Sequence, residues 1–418
     1  MNIPQIRAFM GSGIELEYAI VDAATLSCMP IADRLLSGIS NDHPNEVRRG
    51  QLGWSNELAL HVIEIKNLQP TAEFERLPAA FQNEVRYMNR MLRAFGARLM
   101  PTAMHPWMNP RTDMRLWPHD NAGIYQAYAR IFDVQTHGWA NLQSMHINLP
   151  FIGDDEFARL HAAIRLILPI IPALAASSPI AEEKDTGFAD FRMETYRSNA
   201  REFPSITGKV IPETISSRSE YEEQILAPMY REIRPFDPQG VLQQEWLNSR
   251  GAIARFDRNT IEIRVTDTQE CPEADFTIAA AVISAVHMLY RARSTPLSAQ
   301  QSHDTDALAS IFLACVHEAD EAIIDDREYL RLLGYSGKRC TAGDLWRHLA
   351  RHMTMDRLSQ PQAWHDRLLQ VLEYGPLARR IRRALGNDDS KPRLEAVYRQ
   401  LCDCLNEGRM FHDFTASE

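Results

Sequence analysis

Residues 259–268 read Asn-Thr-Ile-Glu-Ile-Arg-Val-Thr-Asp-Thr, with Ile261, Ile263 and Val265 alternating with Glu262, Arg264 and Thr266. A period of two over this length predicts a half-buried β-strand. Its polar side then carries a carboxylate and a guanidinium two residues apart on one face. Alone, such a segment reads as a solvated sheet face. The same construction recurs twice upstream. In Gly13–Tyr18, Ile14 and Leu16 alternate with Glu15 and Glu17. In Ser144–Phe151, Met145, Ile147 and Leu149 alternate with His146 and Asn148. Three strands thus offer an apolar side to a core and a polar side of Glu, His, Asn and Arg. Ordinary solvent faces are rich in Lys, Thr and Ser, whereas these groups bind hard cations and phosphate.

A fourth acidic segment lies at Glu57–Asn67. Glu57 and Glu64 are an odd number of residues apart, so a turn or bulge must intervene if both are to reach one site. Glu15, Glu17, Glu57, Glu64, His146 and Glu262 together form a set of oxygen donors with one imidazole, which suits magnesium or manganese better than zinc. Each alone is a surface carboxylate or a satisfied core histidine; jointly, a metal site is the better account. Arg264 is either the salt-bridge partner of Glu262 or a member of a metal–phosphate site.

The chain's 418 residues suffice for one large domain or two. A net charge of −10 disfavours nucleic acid as a partner, but not a nucleotide, whose phosphates metal ions can bridge to carboxylates. The six cysteines form no C-x-x-C pair, which suits a reducing cytoplasm. The first dozen residues show no secretory pattern. The apolar run Leu166–Ala181 holds Pro169, Pro172 and Pro179, and predicts a kinked buried helix in place of a membrane span. The sequence leaves a homo-oligomer open.

The alternation of elements predicts an α+β fold: a mainly antiparallel sheet with helices packed on its other side. Strands are expected at 13–21, 58–68, 99–107 and around His146. Helices are expected at 31–38, 71–98, 121–137, from 154 toward 176, 219–233 and 273–294. Residues 177–218 read as a long irregular segment, functional or disordered. The chain divides at 1–295, a catalytic domain, and 296–418, a helical C-terminal region. Within the latter, His348 and His352 read as exposed, and the basic run Arg379–Arg383 as a solvated helix face.

Gly-Ile-Glu-Leu-Glu at 13–17, Met-His-Ile-Asn at 145–148, Ala-Ala-Ser-Ser-Pro followed by Asp-Thr-Gly-Phe-x-x-Phe-Arg within 175–192, and Thr-Ile-Glu-Ile-Arg-Val-Thr-Asp-Thr at 260–268 resemble the glutamate–cysteine ligase type 2 family over roughly residues 10–290. The resemblance implies a glutamine synthetase-like fold, with a curved antiparallel sheet whose concave face holds ATP and divalent ions. It implies a carboxylate–amine ligase that activates a carboxylate as an acyl phosphate and lets an amine attack it. By motif, Glu15, His146 and Glu262 are expected on the metal of the nucleotide phosphates, with Asn148 beside them. Glu17, Glu57 and Glu64 are expected on the metal near the substrate carboxylate, and Arg264 on the transferring phosphoryl group. Arg192, Arg197 and Arg250 are candidate substrate-binding residues. Arg192 would hold a substrate carboxylate, or else tie its loop to the sheet through Asp185 or Asp190. Ser144 and Ile124 depart from the family's usual histidine and arginine, which leaves the amino-acid pockets open to alteration. The implied partners are an amino-acid carboxylate and an amine. The rival readings are a ligase using a non-cysteine amine, a non-catalytic nucleotide-binding relative and a metal-dependent hydrolase.

Overall fold

The computed structural model describes residues 5–40, 44–293, 295–353 and 361–412. Its centre is a curved sheet of eight strands: β1 (Gly13–Asp22), β2 (Glu46–Arg49), β3 (Leu52–Asn56), β4 (Val62–Asn67), β5 (Ala97–Met100), β6 (Ser144–Pro150), β7 (Ala252–Arg255) and β8 (Thr260–Asp267). The order is β2-β3-β4-β1-β6-β8-β7, β5 pairs with the far end of β1, and these pairings are antiparallel. Ile14, Leu16 and Tyr18 of β1, Ile63 and Ile65 of β4, Ile147 of β6, and Ile261 and Ile263 of β8 are fully buried. Period-two alternation places these residues on one face, and their opposite numbers on the other.

Helices pack around the sheet. They include α1 (Leu77–Leu92), α2 (Ala122–Ile131), α3 (Gly153–Ile167), α4 (Phe191–Tyr196), α5 (Pro272–Tyr290), α6 (Thr305–Glu318), α7 (Leu377–Leu385) and α8 (Lys391–Glu407). Of these, α1, α3 and α5 lie on its apolar side, with α1 and α3 packed on α5, while α2 and α4 contribute to the polar side. Helix α5 is apolar all round, as a helix enclosed on every side must be. It is long and apolar enough to cross a membrane, yet 83% of its most apolar window is buried inside the protein. Leu308, Phe312 and Val316 of α6 belong to the same continuous apolar core as the sheet, while Leu377, Ile381, Tyr398 and Leu401 pack on Ala19, Val21 and Met100.

Several elements differ from expectation. Of the acidic strand expected at 58–68, only Val62–Asn67 is a strand, β4; Glu57–His61 connect it to β3, which precedes the expected range. Glu57 follows the last residue of β3 and Glu64 lies within β4, which resolves their odd spacing by a hairpin. The strand expected at 99–107 ends at Met100, because Pro101 has no N–H to extend the ladder. The helix expected at 121–137 stops at Ile131, and a short second helix follows at His137–Ala140. The one expected to reach 294 ends at Tyr290, with Ser294 outside the described residues. Strands β2, β3 and β7 are too short to show a period and were not anticipated.

The basic run is not a solvated face. Arg380 is buried on Glu270, and the same pair takes both backbone groups of Phe411: Arg380 donates to its carbonyl and Glu270 accepts from its N–H. Arg379 pairs with Asp320 and Arg382 with Asp185.

Candidate active site

Strand register brings the acidic residues together. Across β1 and β4, Glu15 faces Lys66 and Glu17 faces Glu64. Across β1 and β6, Glu15 faces His146, and across β6 and β8, Asn148 faces Glu262. Directly opposed residues of an antiparallel pair share a face, so all of these lie on the polar side. Ligand atoms of Glu17, Glu57 and Glu64 lie within 4.8 Å of one another, as do those of Glu15, Glu64 and His146. Glu262 Oε1 is 3.9 Å from His146 Nδ1. The expected second set is therefore assembled as such. In the first, Glu64 joins Glu15 and His146 within the same 4.8 Å, and Glu262 lies beside them.

The electrostatics are those of a site built for positive charge. Burial, then the charges of Glu17 and Glu64, holds the Glu57 carboxyl well above the ordinary range. Burial also raises Glu64, against the opposing Lys66 ammonium. Burial alone would lower the His146 imidazole, but its hydrogen bond to Glu15 and the charges of Glu17 and Glu262 outweigh it and raise it to about 9. Crowded, desolvated carboxylates of this kind favour a hard divalent cation among them. Ser144 joins the two groups: its N–H donates to Glu17 Oε2 at 2.7 Å, and its Oγ lies 2.9 Å from His146 Nε2. Asn148 donates to Glu15 Oε1 at 3.1 Å.

A β-bulge shapes the far end of β8. Ile263 pairs with Ile147, but Thr266 pairs with Met145 and Asp267 with Ser144, so β8 has one residue more than its partner. Gly251 accommodates the bulge: it accepts from Arg264 N–H at 2.8 Å, and a Cβ there would come within 2.6 Å of Val265 Cγ1. The bulge corrects the expected alternation, since Thr266 turns to the buried side and Asp267 takes its place on the polar layer. Arg264 stays on the polar face, its Nε 2.6 Å from Glu262 Oε1. Burial would lower the Arg264 guanidinium, but Glu262 and the neighbouring Tyr196 hydroxyl raise it above its ordinary value. Burial would raise Glu262, but Arg264 first, then His146 and Arg255, bring it below its ordinary value.

The three expected substrate-binding arginines fall out differently. Arg192, on α4, is 1% exposed and lines the cleft, with its Nε on Asp267 Oδ1 and its two terminal nitrogens each 3.3 Å from the Arg264 carbonyl. Its partner is neither Asp185, which holds Arg382, nor Asp190, which caps α4. Asp267 also accepts from Ser177 N–H and Ser178 Oγ, both at 2.8 Å. The Ser-Ser pair, the Phe-Arg pair and the Thr-Asp-Thr run thus meet at one carboxylate. Arg197 is exposed and pairs with Glu194. Arg250 is buried on Glu213, to which its Nε and Nη2 donate at 2.6 and 2.7 Å. Neither Arg197 nor Arg250 is among the residues that line the cleft; their carboxylate partners Glu194 and Glu213 lie outside it.

The polar face is the floor of a cleft of about 630 Å³. Opposite the carboxylates stand aromatic rings that the sequence did not reveal as a group: Tyr125 and Tyr128 of α2, Trp139, Tyr196 and Trp246. Tyr125 accepts from Asn56 at 2.9 Å, and the Tyr128 ring lies 5.2 Å from that of Trp139 and 5.9 Å from that of Trp246. Two further cations stand in the cleft, Arg255, whose equivalence to Arg250 the sequence leaves open, and Arg258, which it does not single out. Arg255 on β7 is 3.5 Å from Glu262 Oε2, and half-exposed Arg258 is 4.0 Å from Glu15 Oε1. A second cavity, of about 590 Å³, continues past Glu15, Lys66 and Arg258 toward Gly13, Asn148, Pro70 and Pro150.

A model of the glutamate–cysteine ligase family 2 (GCS2) matches residues 12–363. An uncharacterized protein of Archaeoglobus fulgidus is 39% identical over 270 residues, covering 65% of this chain and 72% of that protein. A protein of Rubrobacter xylanophilus provisionally named glutamate–cysteine ligase 2-1 is 28% identical, over 45% of this chain and 47% of its own length. One from Bradyrhizobium sp. ORS 278, provisionally named glutamate–cysteine ligase 2, is 26% identical over 67% of this chain and 60% of its own. The match thus spans about half to three fifths of these named relatives. Among solved structures, a glutamate–cysteine ligase from Francisella tularensis in complex with AMP superposes with a TM-score of 0.59 at 12% identity, over 96% of this chain and 90% of that one, a likeness of fold.

Proposed function

Since this chain belongs to the glutamate–cysteine ligase family 2, a family of carboxylate–amine ligases, we propose that it joins an amino-acid carboxylate to an amine at the expense of ATP and magnesium, through an acyl phosphate. The observation that carries this reading is the face-sharing of Glu15, Glu17, Glu57, Glu64, His146 and Glu262 with Arg264 at its edge. A carboxylate and a triphosphate repel each other, and ligation requires them to meet. Magnesium or manganese bound there supplies charge neutralisation for the transferring phosphoryl group. Glu17, Glu57 and Glu64 would hold it on the side of the acid substrate; Glu15 and His146, with Glu262 beside them, on the side of the nucleotide.

Arg264 is positioned to accept charge that grows on the phosphoryl oxygens, because Glu262 fixes its Nε and leaves its terminal nitrogens for the cleft. Arg258 adds a half-exposed cation beside Glu15, and the cavity beyond Asn148 is the side from which a nucleotide would reach the phosphate site. The AMP bound by the Francisella ligase accords with a nucleotide on this fold. The acid substrate would then lie toward Glu57 and the aromatic wall. Glutamate is the acid that the family's name suggests.

ATP consumption by the purified chain with magnesium, measured over a panel of acids and amines with mass detection of product, tests this directly. Stoichiometric ADP and an amide are expected. Turnover of an amide without ATP would turn the reading into that of a hydrolase, and ATP binding with no turnover on any pair into that of a binding protein.

A further inference from the structure

The two cavities of the polar face meet at a shared wall, since Glu15, Glu46, Lys66 and Arg258 line both of them. A nucleotide that enters beyond Asn148 and delivers its terminal phosphate to the carboxylates of the cleft must carry its other phosphates past this wall. Two cations stand there. Lys66 of β4 lies directly opposite Glu15 of β1. Arg258, in the turn between β7 and β8, places its Nη1 4.0 Å from Glu15 Oε1. An ammonium and a guanidinium thus flank one carboxylate at the point of passage.

Among the described residues, neither cation is fully engaged. Lys66 Nζ lies 2.9 Å from Glu64 Oε1 and 3.3 Å from Glu46 Oε2, whereas an ammonium has three N–H donors. Ser55 donates to the same Glu64 oxygen at 2.5 Å, which leaves the other oxygen of Glu64 to an ion. Lys66 and a cation on Glu64 are therefore compatible. The Arg258 contacts with Glu15 and Asp257, at 4.0 and 3.9 Å, are both longer than hydrogen bonds. A divalent ion on Glu15 would repel Lys66 and Arg258 unless an anion came with it. The phosphates of a magnesium nucleotide are such an anion. Resting on the ligase reading, we infer that Lys66 and Arg258 grip the phosphates that stay with the nucleotide, while Arg264 serves the one that is transferred. Contacts made before transfer begins strengthen substrate and transition state together, so they act on KM more than on kcat.

Calorimetric titration of the full chain with ADP and with AMP, each with magnesium, tests this. Lys66→Met keeps the apolar stem and removes the charge. ADP binding is expected to weaken about tenfold or more in Lys66→Met and in Arg258→Met, and AMP binding, which lacks the second phosphate, by clearly less. Lys66→Arg should restore most of the ADP affinity. In turnover, the loss should appear in KM for ATP, where Arg264→Lys loses kcat. A Lys66 that merely neutralises Glu46 and Glu64 would instead lower the melting temperature on replacement and leave the ratio of ADP to AMP affinity at its wild-type value. Should Lys66→Met fail to fold, Lys66→Gln takes its place beside the half-exposed Arg258. Wild-type ADP affinity in either variant, or ADP and AMP weakened by the same factor, would overturn this inference and leave the ligase reading standing. A wild type that binds neither nucleotide and forms no ADP would overturn both.

Discussion

Arg192 reaches from α4 to the buried carboxylate of Asp267, and the same guanidinium spans the carbonyl of Arg264. Both partners are essentially excluded from water. Burial alone would lower the Arg192 guanidinium, yet Asp267 and Asp190 raise it above its ordinary value. The pair fixes the bulged end of β8, and hence the backbone that carries Arg264. Arg192→Ala is therefore expected to cost about 3–5 kcal/mol of stability by leaving Asp267 buried and uncompensated. Urea unfolding measures this, and Arg192→Met combined with Asp267→Leu should recover part of the loss. An Arg192→Ala protein of wild-type stability, with only the KM for the acid substrate raised, would make Arg192 a substrate ligand instead.

Burial, Glu17 and Glu64 all disfavour the ionised form of Glu57. Removing that charge should stabilise the metal-free protein while weakening the cation site. Glu57→Gln is expected to raise the melting temperature without magnesium, by an amount equivalent to about 1 kcal/mol or more. Millimolar magnesium should then stabilise the wild type and have little effect on the variant. Equal magnesium responses in the two would remove Glu57 from the ligand set.

Arg264 should reveal itself in kcat. Arg264→Lys keeps the charge but loses the planar fork that can hold Glu262 and a phosphoryl oxygen at once. A fall in kcat on the order of 10²-fold is expected, with a smaller change in KM for ATP. An unaltered kcat would leave Arg264 as a structural partner of Glu262 alone.

Two histidines far from the carboxylates set an acid limit on the fold. Burial, then the charges of Arg165 and Arg250, lowers His161 to about 3, and burial lowers His105 to about 4. A depressed imidazole is neutral in the folded chain and protonates more readily when unfolded. Its contribution to stability is thus complete above the unfolded value of about 6.5 and is lost as pH falls from there toward the folded value. Each group steepens that loss by up to about 1.4 kcal/mol per pH unit. His161→Phe, between the rings of Phe157 and Tyr221, should flatten the profile between pH 6.5 and 5 by that amount, as read from denaturant unfolding at each pH.

The sheet and its chemistry were legible where strands were long enough to show a period. Glu15, Glu17, His146, Asn148 and Glu262 were found by alternation alone, because a two-residue repeat fixes which side chains share a face. The bulge after Ile263 was invisible, since one inserted residue leaves composition and periodicity almost unchanged while exchanging Thr266 for Asp267. The pairing of the arginines at 197 and 250 was hidden for a related reason. A sequence shows a cation but not its counter-ion, and Glu194 and Glu213 had already taken them. The aromatic wall was hidden because its members come from four separate segments, none of them periodic.

The clasp of Arg380 and Glu270 around Phe411 bears on the order in which the protein is made. Glu270 lies three residues beyond the end of β8, whereas the backbone it grips is 141 residues further on. A ribosome will have delivered every strand of the sheet, carboxylates included, long before the segment that clamps its end emerges. Until then Arg380 and Glu270 have no peptide to close on, and closing so long a loop is slow. A nascent chain should therefore carry an assembled but unfastened sheet, and nonsense mutations just before codon 411 should yield a protein that folds its core yet is cleared by proteases.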